Sequence, residues 1–192
     1  VVVAVIRVAH DQQRIGRRKS IPLGILNVIC KIYTTVIRGT PMLVQILIWG
    51  FVIFASSRNK FMVGFVALGI NSGAYVAEII RAGVQAVDSG QMEAARSLGM
   101  SYGKAMKKII LPQAFRTMLP SIINQFIISL KDTSLVSVIG VSELTKRGNV
   151  MTANAAARSM AIWVTIALFY LVICTILSRV AKIMERRVSY GR

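Results

Sequence analysis

One histidine, two cysteines and seven acidic residues are all that this 192-residue chain offers to acid–base, thiol or metal chemistry. Cys30 and Cys174 are far apart and set in apolar surroundings, so neither a disulfide framework nor a metal site with paired-ligand spacing is expected. His10 stands beside Asp11 in a basic stretch and reads as a solvated side chain. Intramembrane acid–base or metal chemistry needs a constellation of groups, which these residues do not supply, so a membrane enzyme is disfavoured. There is also no Gly-rich phosphate loop ending in Lys and Ser or Thr, so nucleotide binding by this chain is not expected.

What the chain does have is apolar length. Hydrophobic residues make up 55% of it, and several runs approach the length of a membrane span. The net charge of +17 would suggest nucleic acid on a soluble protein, but the 24 Lys and Arg lie mainly between the apolar runs rather than along one face. An all-α membrane protein follows, with five spans. The first is the end of a truncated helix, Val1 to Ala9. The second is Met42 to Ala55, extended back through Tyr33 to Ile37 with a kink at Arg38-Gly39-Thr40-Pro41. Phe61 to Ile80, Ile109 to Leu130 and Met160 to Leu177 complete the set. Sixteen basic residues fall in 7–19, 81–116 and 179–192, against six in 58–60 and 131–158. The positive-inside rule therefore predicts that the first three segments, including the carboxyl terminus, are cytoplasmic, with the basic tail against anionic lipid headgroups.

The cytoplasmic segment of about 84–108 has local signals of its own. Asp88 with Gln91 predicts a capping box, and Gly99 a left-handed helix end, giving a helix from Ser89 to Leu98. Met92, Ala95 and Leu98 share one side of it, Glu93 and Arg96 form a potential pair, and Ser101 starts a second short helix through Lys108. Two short helices around a Gly turn make a knob suited to a groove on a soluble partner; an ordinary interfacial hairpin is the alternative.

The string EAARSLGMSYGKAMKKIILP at 93–112 resembles the signature loop of the membrane subunits of ATP-binding-cassette importers. RGTPMLVQ at 38–45, NSGAYVAEIIRAGVQAVDSGQMEAARSLGM at 71–100 and LPQAFRTMLPSIINQFIISLKDTSLVSVIGVSEL at 111–144 extend the resemblance, which is to permeases for polar amino acids and most of all to glutamine permeases. It implies a single type I importer permease domain over 1–192, in a bacterial cytoplasmic (inner) membrane. The implied partners are an ATPase subunit that binds ATP and Mg, an extracytoplasmic amino-acid-binding protein, and a second permease subunit. A homodimer is expected, with a heterodimer as the alternative, and no cofactor or nucleic acid is expected on this chain. Glu93, Ala94, Ala95, Ser97, Leu98 and Gly99 are the implied coupling residues.

Pathway residues follow from cost, since a polar side chain at membrane depth faces a cavity or another protein group. Asn71, Tyr75 and Glu78 share roughly one face of the third span. Asn71 is a solute contact or an interhelical hydrogen bond, and Glu78 is a pathway residue or the partner of Arg81. Asn124 and Gln125 lie in the fourth span, and Lys131, Asp132, Thr133 and Ser134 read as a break between helix pieces that lines the pathway, with an exposed loop as the alternative. The fourth span has no acid, which tilts the substrate toward glutamine over arginine or histidine. A channel or secondary transporter is the rival class, but the chain shows no filter motif and scarcely has room for an inverted second half.

Overall fold

The computed structural model describes the backbone of residues 1–15 and 21–189, and side chains within 1–11 and 21–185. The basic residues expected in 14–19 and in the tail beyond 185 lie outside the described side chains. Among the described residues every regular element is helical. Helix α1 is Val2–Ile15, α2 is Ile21–Gly39, and α3 is Met42–Leu47, which continues as a π-helix over Ile48–Ile53. Helix α4 is Lys60–Gln85 and α5 is Ser89–Ser97. The short α6, Tyr102–Ala105, passes through a π-helical stretch, Met106–Ile110, into α7, Leu111–Asp132. A 3-10 helix over Thr133–Ile139 follows, then α8, Leu144–Asn154, a 3-10 turn at Ala156–Arg158, and α9, Ser159–Ser189.

Among the described residues, four stretches are long and apolar enough to cross a membrane, Ile21–Gly39, Lys60–Gln85, Tyr102–Ile139 and Ala156–Glu185. Two expectations are corrected. The stretch expected to be a loop from Arg7 onward is helical through Ile15. The expected kinked second span is two helices. Pro41 is extended at φ −62° and ψ 138° and cannot donate a helical hydrogen bond, so it breaks the chain after Gly39 instead of bending it. Ile21–Gly39 thereby becomes a candidate span of its own, opened by Pro22 in its first turn, where a missing N–H costs nothing.

The residues form two compact units. The first comprises 1–37, 73–123 and 183–192, and its core packs Val84, Ile110, Ala114 and Met118 with Met92, Met106 and Ile122. The second comprises 38–72 and 124–182, and its core is Ile46, Val63, Ala67, Val136 and Ile139. There the π-helix closes on the 3-10 helix at Gly50, where an added Cβ would overlap Ile139 Cγ2. The wider π-turn also frees backbone carbonyls, and Lys60 Nζ donates to Gly50 O (3.2 Å) and Ala55 O (3.3 Å).

Candidate functional site: a coupling knob, an ion cluster and a neutral polar chain

Helix α5 is built as its sequence predicts, with one change at each end. Asp88 Oδ1 accepts from Gly90 N–H (2.8 Å) rather than from Gln91, so the cap is one-sided and no capping box forms. At the other end Gly99 takes φ +77°, Gly99 N–H donates to Arg96 O (3.0 Å) and Met100 N–H to Ala95 O (3.1 Å). Those two bonds are the Schellman pattern that ends a helix on a left-handed residue. The expected Glu93–Arg96 pair gives way to this closure, because Arg96 Nη1 donates to Met100 O (3.1 Å).

Ala95 is buried and Met92 packs on the first unit's core, so one face of α5 is a mount. Glu93, Ala94 and Ser97 are exposed, and Leu98 is 84% exposed rather than joining Met92 and Ala95, because the helix closes before its side chain returns to that face. Leu98 thus stands as a large apolar side chain open to water beside small Ala94. The second short helix does not end at Lys108. It runs on without interruption into α7, and Leu111 N–H reaches back to Met106 O. Pro112 has no N–H to give and its ring crowds the preceding turn, a conflict that the wider π-turn relieves.

Within the first unit, Glu78 is shared by two arginines. Arg81 donates to its Oε2 through Nε (3.2 Å) and Nη2 (3.1 Å), and Arg7 pairs with Oε1. Arg7 Nη1 also donates to Thr34 Oγ1 (3.0 Å), which ties α1, α2 and α4 together. Arg81 and Gln85 both reach Asp11 Oδ2, at 3.4 and 2.8 Å. Of the two sequence readings for Glu78, the geometry supports the partner of Arg81 and adds Arg7, which the sequence pattern did not single out. Tyr75 is half-buried on the same helix.

In the second unit the buried amides Gln45, Asn71 and Gln125 are met by neutral partners. Asn71 Nδ2 donates to Gln45 Oε1 (3.0 Å), and Gln45 Nε2 donates to Thr40 Oγ1 (2.8 Å) and Thr40 O (3.1 Å). Both amides are buried, so each needs such a partner. Asn71 is thus an interhelical link. Ser72 and Ser129 hydroxyls meet at 2.8 Å, and buried Gln125 Nε2 approaches Ser129 Oγ at 3.4 Å. Gln45, Ser72 and Ser129 were missed in the sequence. The signal was present for Gln45, an amide in the apolar run after Pro41. Asn124, next to buried Gln125, is exposed.

Lys131, Asp132, Thr133 and Ser134 do not interrupt the helix; the chain tightens there from α to 3-10. Thr133, Ser134 and Ser137 hydroxyls donate to the carbonyls three residues back, Leu130 (2.6 Å), Lys131 (2.8 Å) and Ser134 (2.7 Å). The run Leu135 to Val141 buries Val136 and Ile139, and Gly140 at φ +95° ends it. Neither the metal-ligating side chains nor any of these groups clusters as a metal site among the described residues.

Comparison with known proteins agrees with the resemblance seen in the sequence. Residues 21–190 match the family described as the binding-protein-dependent transport system inner membrane component. The glutamine transport system permease protein of Escherichia coli (strain K12) is 43% identical over 169 residues, covering 86% of this chain and 77% of that protein. The arginine transport system permease protein of Bacillus subtilis (strain 168) is 40% identical, covering 87% and 83%. The L-cystine permease of the same organism is 40% identical, covering 82% and 68%. A crystal structure of an amino acid ABC transporter with histidines superposes with a TM-score of 0.83 at 40% identity, over 97% of this chain and 84% of that one. The chain belongs to the binding-protein-dependent inner membrane components and is the permease of an amino acid ABC importer.

Proposed function

We propose that residues 1–192 act as one permease domain that moves glutamine from an extracytoplasmic binding protein into the cytoplasm by alternating access. ATP and Mg are bound by a separate ATPase subunit, into whose groove α5 inserts through Glu93, Ala94, Ser97 and Leu98, while Ala95 holds the mount and Gly99 sets its end. Two copies of the chain pair around the pathway. The membrane is crossed five times, and the carboxyl terminus is cytoplasmic.

The observation that carries the substrate assignment is the neutrality of the second unit's polar groups. Asn71, Gln45, Ser72, Ser129 and Gln125 are amides and hydroxyls. The two acids of that unit are Asp132 and Glu143, and Glu143 is occupied in capping α8. A cationic side chain in a low-dielectric pathway needs a carboxylate of its own, whereas a neutral amide is met by neutral partners. In this scheme Lys131 and Asp132 receive the carboxylate and ammonium of the amino acid, with Asn124, Gln125, Thr133 and Ser134 beside them. Asn71, Tyr75 and Glu78 are pathway residues of lesser weight in this proposal, since Asn71 and Glu78 already have protein partners. The test is ATP-dependent uptake in proteoliposomes holding the permease, its ATPase and its binding protein, with glutamine, arginine and histidine in competition. Preferential glutamine uptake is expected; preferential arginine or histidine uptake would place the side-chain charge on Asp132 and overturn the neutral site.

A further inference from the structure

A cavity of about 320 Å³ opens between α8 and α9, wholly within the second unit. Its floor is apolar, formed by Leu144 and Met151 of α8 with Ile162, Ile166 and Phe169 of α9. Its remaining lining includes Arg147 and Arg158, both exposed. The helices are held close at Gly148, where an added Cβ would overlap Ile166 Cδ1 and stand 3.2 Å from Trp163. The cavity is therefore a product of fixed packing between two helices.

Charge around it is unbalanced. The acid nearest in sequence, Glu143, accepts from the N–H groups of Thr145 (2.7 Å) and Lys146 (2.6 Å) and from Tyr170 Oη (3.5 Å). Among the described residues no ion pair includes Arg147 or Arg158. Two guanidiniums beside an apolar cavity match a ligand with an anionic head and a hydrocarbon body. Helix α9 adds a second constraint: its apolar stretch, 156–185, is the most hydropathic of the four candidate spans and none of its best window is buried. The solvent that meets an uncovered span is the bilayer itself.

The geometry points to a binding site for one anionic phospholipid, its phosphate held by Arg147 and Arg158 and one acyl chain laid in the cavity against Phe169, Ile166 and Ile162. A soluble anion would leave the apolar floor unfilled, and a zwitterionic lipid would bring an ammonium toward the two arginines. The site is distinct from the coupling helix and from the neutral polar chain, and it stands whichever amino acid is transported.

Native mass spectrometry of the intact permease–ATPase complex, titrated with phosphatidylglycerol and phosphatidylethanolamine, tests it. Wild type is expected to retain phosphatidylglycerol about tenfold more tightly, and R147Q/R158Q to lose that preference while keeping the complex assembled. Equal retention of the two lipids by wild type, or a preference unchanged in R147Q/R158Q, would overturn the site. Displacement of the lipid by inorganic phosphate would reduce it to a headgroup-only anion site and overturn the acyl-chain assignment. A change in permease stoichiometry in R147Q/R158Q with lipid retention unmoved would assign the groove to a second copy of the chain instead.

Discussion

The two units of this permease join their helices through different polar groups. In the first, Arg7, Asp11, Glu78 and Arg81 are charges that neutralise one another across α1 and α4. In the second, Thr40, Gln45 and Asn71, and separately Ser72, Ser129 and Gln125, are neutral groups joined by single hydrogen bonds. The difference has an energetic meaning. A paired charge is expensive to expose and so fixes a structure, whereas neutral amides and hydroxyls in a membrane exchange partners at small cost. The unit that carries α5 is thus the one with the ionic cluster, and on the proposed function the unit with exchangeable neutral groups is the one that meets the solute.

Removing one charge breaks the contrast most severely. Glu78→Gln leaves Arg7 and Arg81 without their shared carboxylate, and its side chain is only 13% exposed, so a loss of about 3 kcal/mol is expected, read as a lowered unfolding midpoint in detergent. Arg7→Gln/Glu78→Gln should lose less than the sum of its two single changes, because the uncompensated charge is removed along with its partner. A smaller effect is expected where the units differ in packing. Gly50→Ala places a methyl on Ile139 and should cost about 1–3 kcal/mol by overpacking, and less than that when introduced into Ile139→Ala, whose own cavity cost is separate. At the coupling helix, Gly99→Val forces a branched residue to φ +77°, a local cost of about 1–2 kcal/mol, and should lower ATP-driven uptake more than it lowers stability. The smallest term is the neutral link: a double-mutant cycle of Gln45→Leu and Asn71→Leu should give a coupling of about 0.6 kcal/mol, as for other interhelical hydrogen bonds in membranes.

Much of this was legible in the residues. The limits of α5 followed from Asp88 and Gly99, and the long spans α4, α7 and α9 from uninterrupted apolar runs. Helix α2 is not separable in the sequence because Pro41 permits either a kink or a stop, and only its extended conformation ends the helix at Gly39. The merger of α6 into α7 was hidden for a related reason: a π-turn carries no signature in composition, although Pro112 marks where one is useful. For the polar sites, Glu78 and Arg81 could be paired from their spacing of three, but Arg7 is 71 positions from Glu78 and no local pattern joins them. Likewise Asn71 was singled out as a buried amide, while its partner Gln45 lay in a helix whose face could not be fixed without α2 and α3 being separated. The 3-10 segment was expected as a break because the polar run Lys131 to Ser134 precedes an apolar run too short to span, whereas the Thr133 and Ser134 hydroxyls satisfy the carbonyls of their own helix.

The division of labour is tested most directly by ATP-driven uptake of glutamine and arginine together in proteoliposomes, comparing Glu93→Ala in the first unit with Asn124→Asp in the second. Uptake of both solutes should fall together in Glu93→Ala with the glutamine-to-arginine ratio preserved, while Asn124→Asp should keep ATP dependence and shift the ratio toward arginine. A ratio altered by Glu93→Ala and untouched by Asn124→Asp would contradict the assignment of coupling to one unit and solute contact to the other.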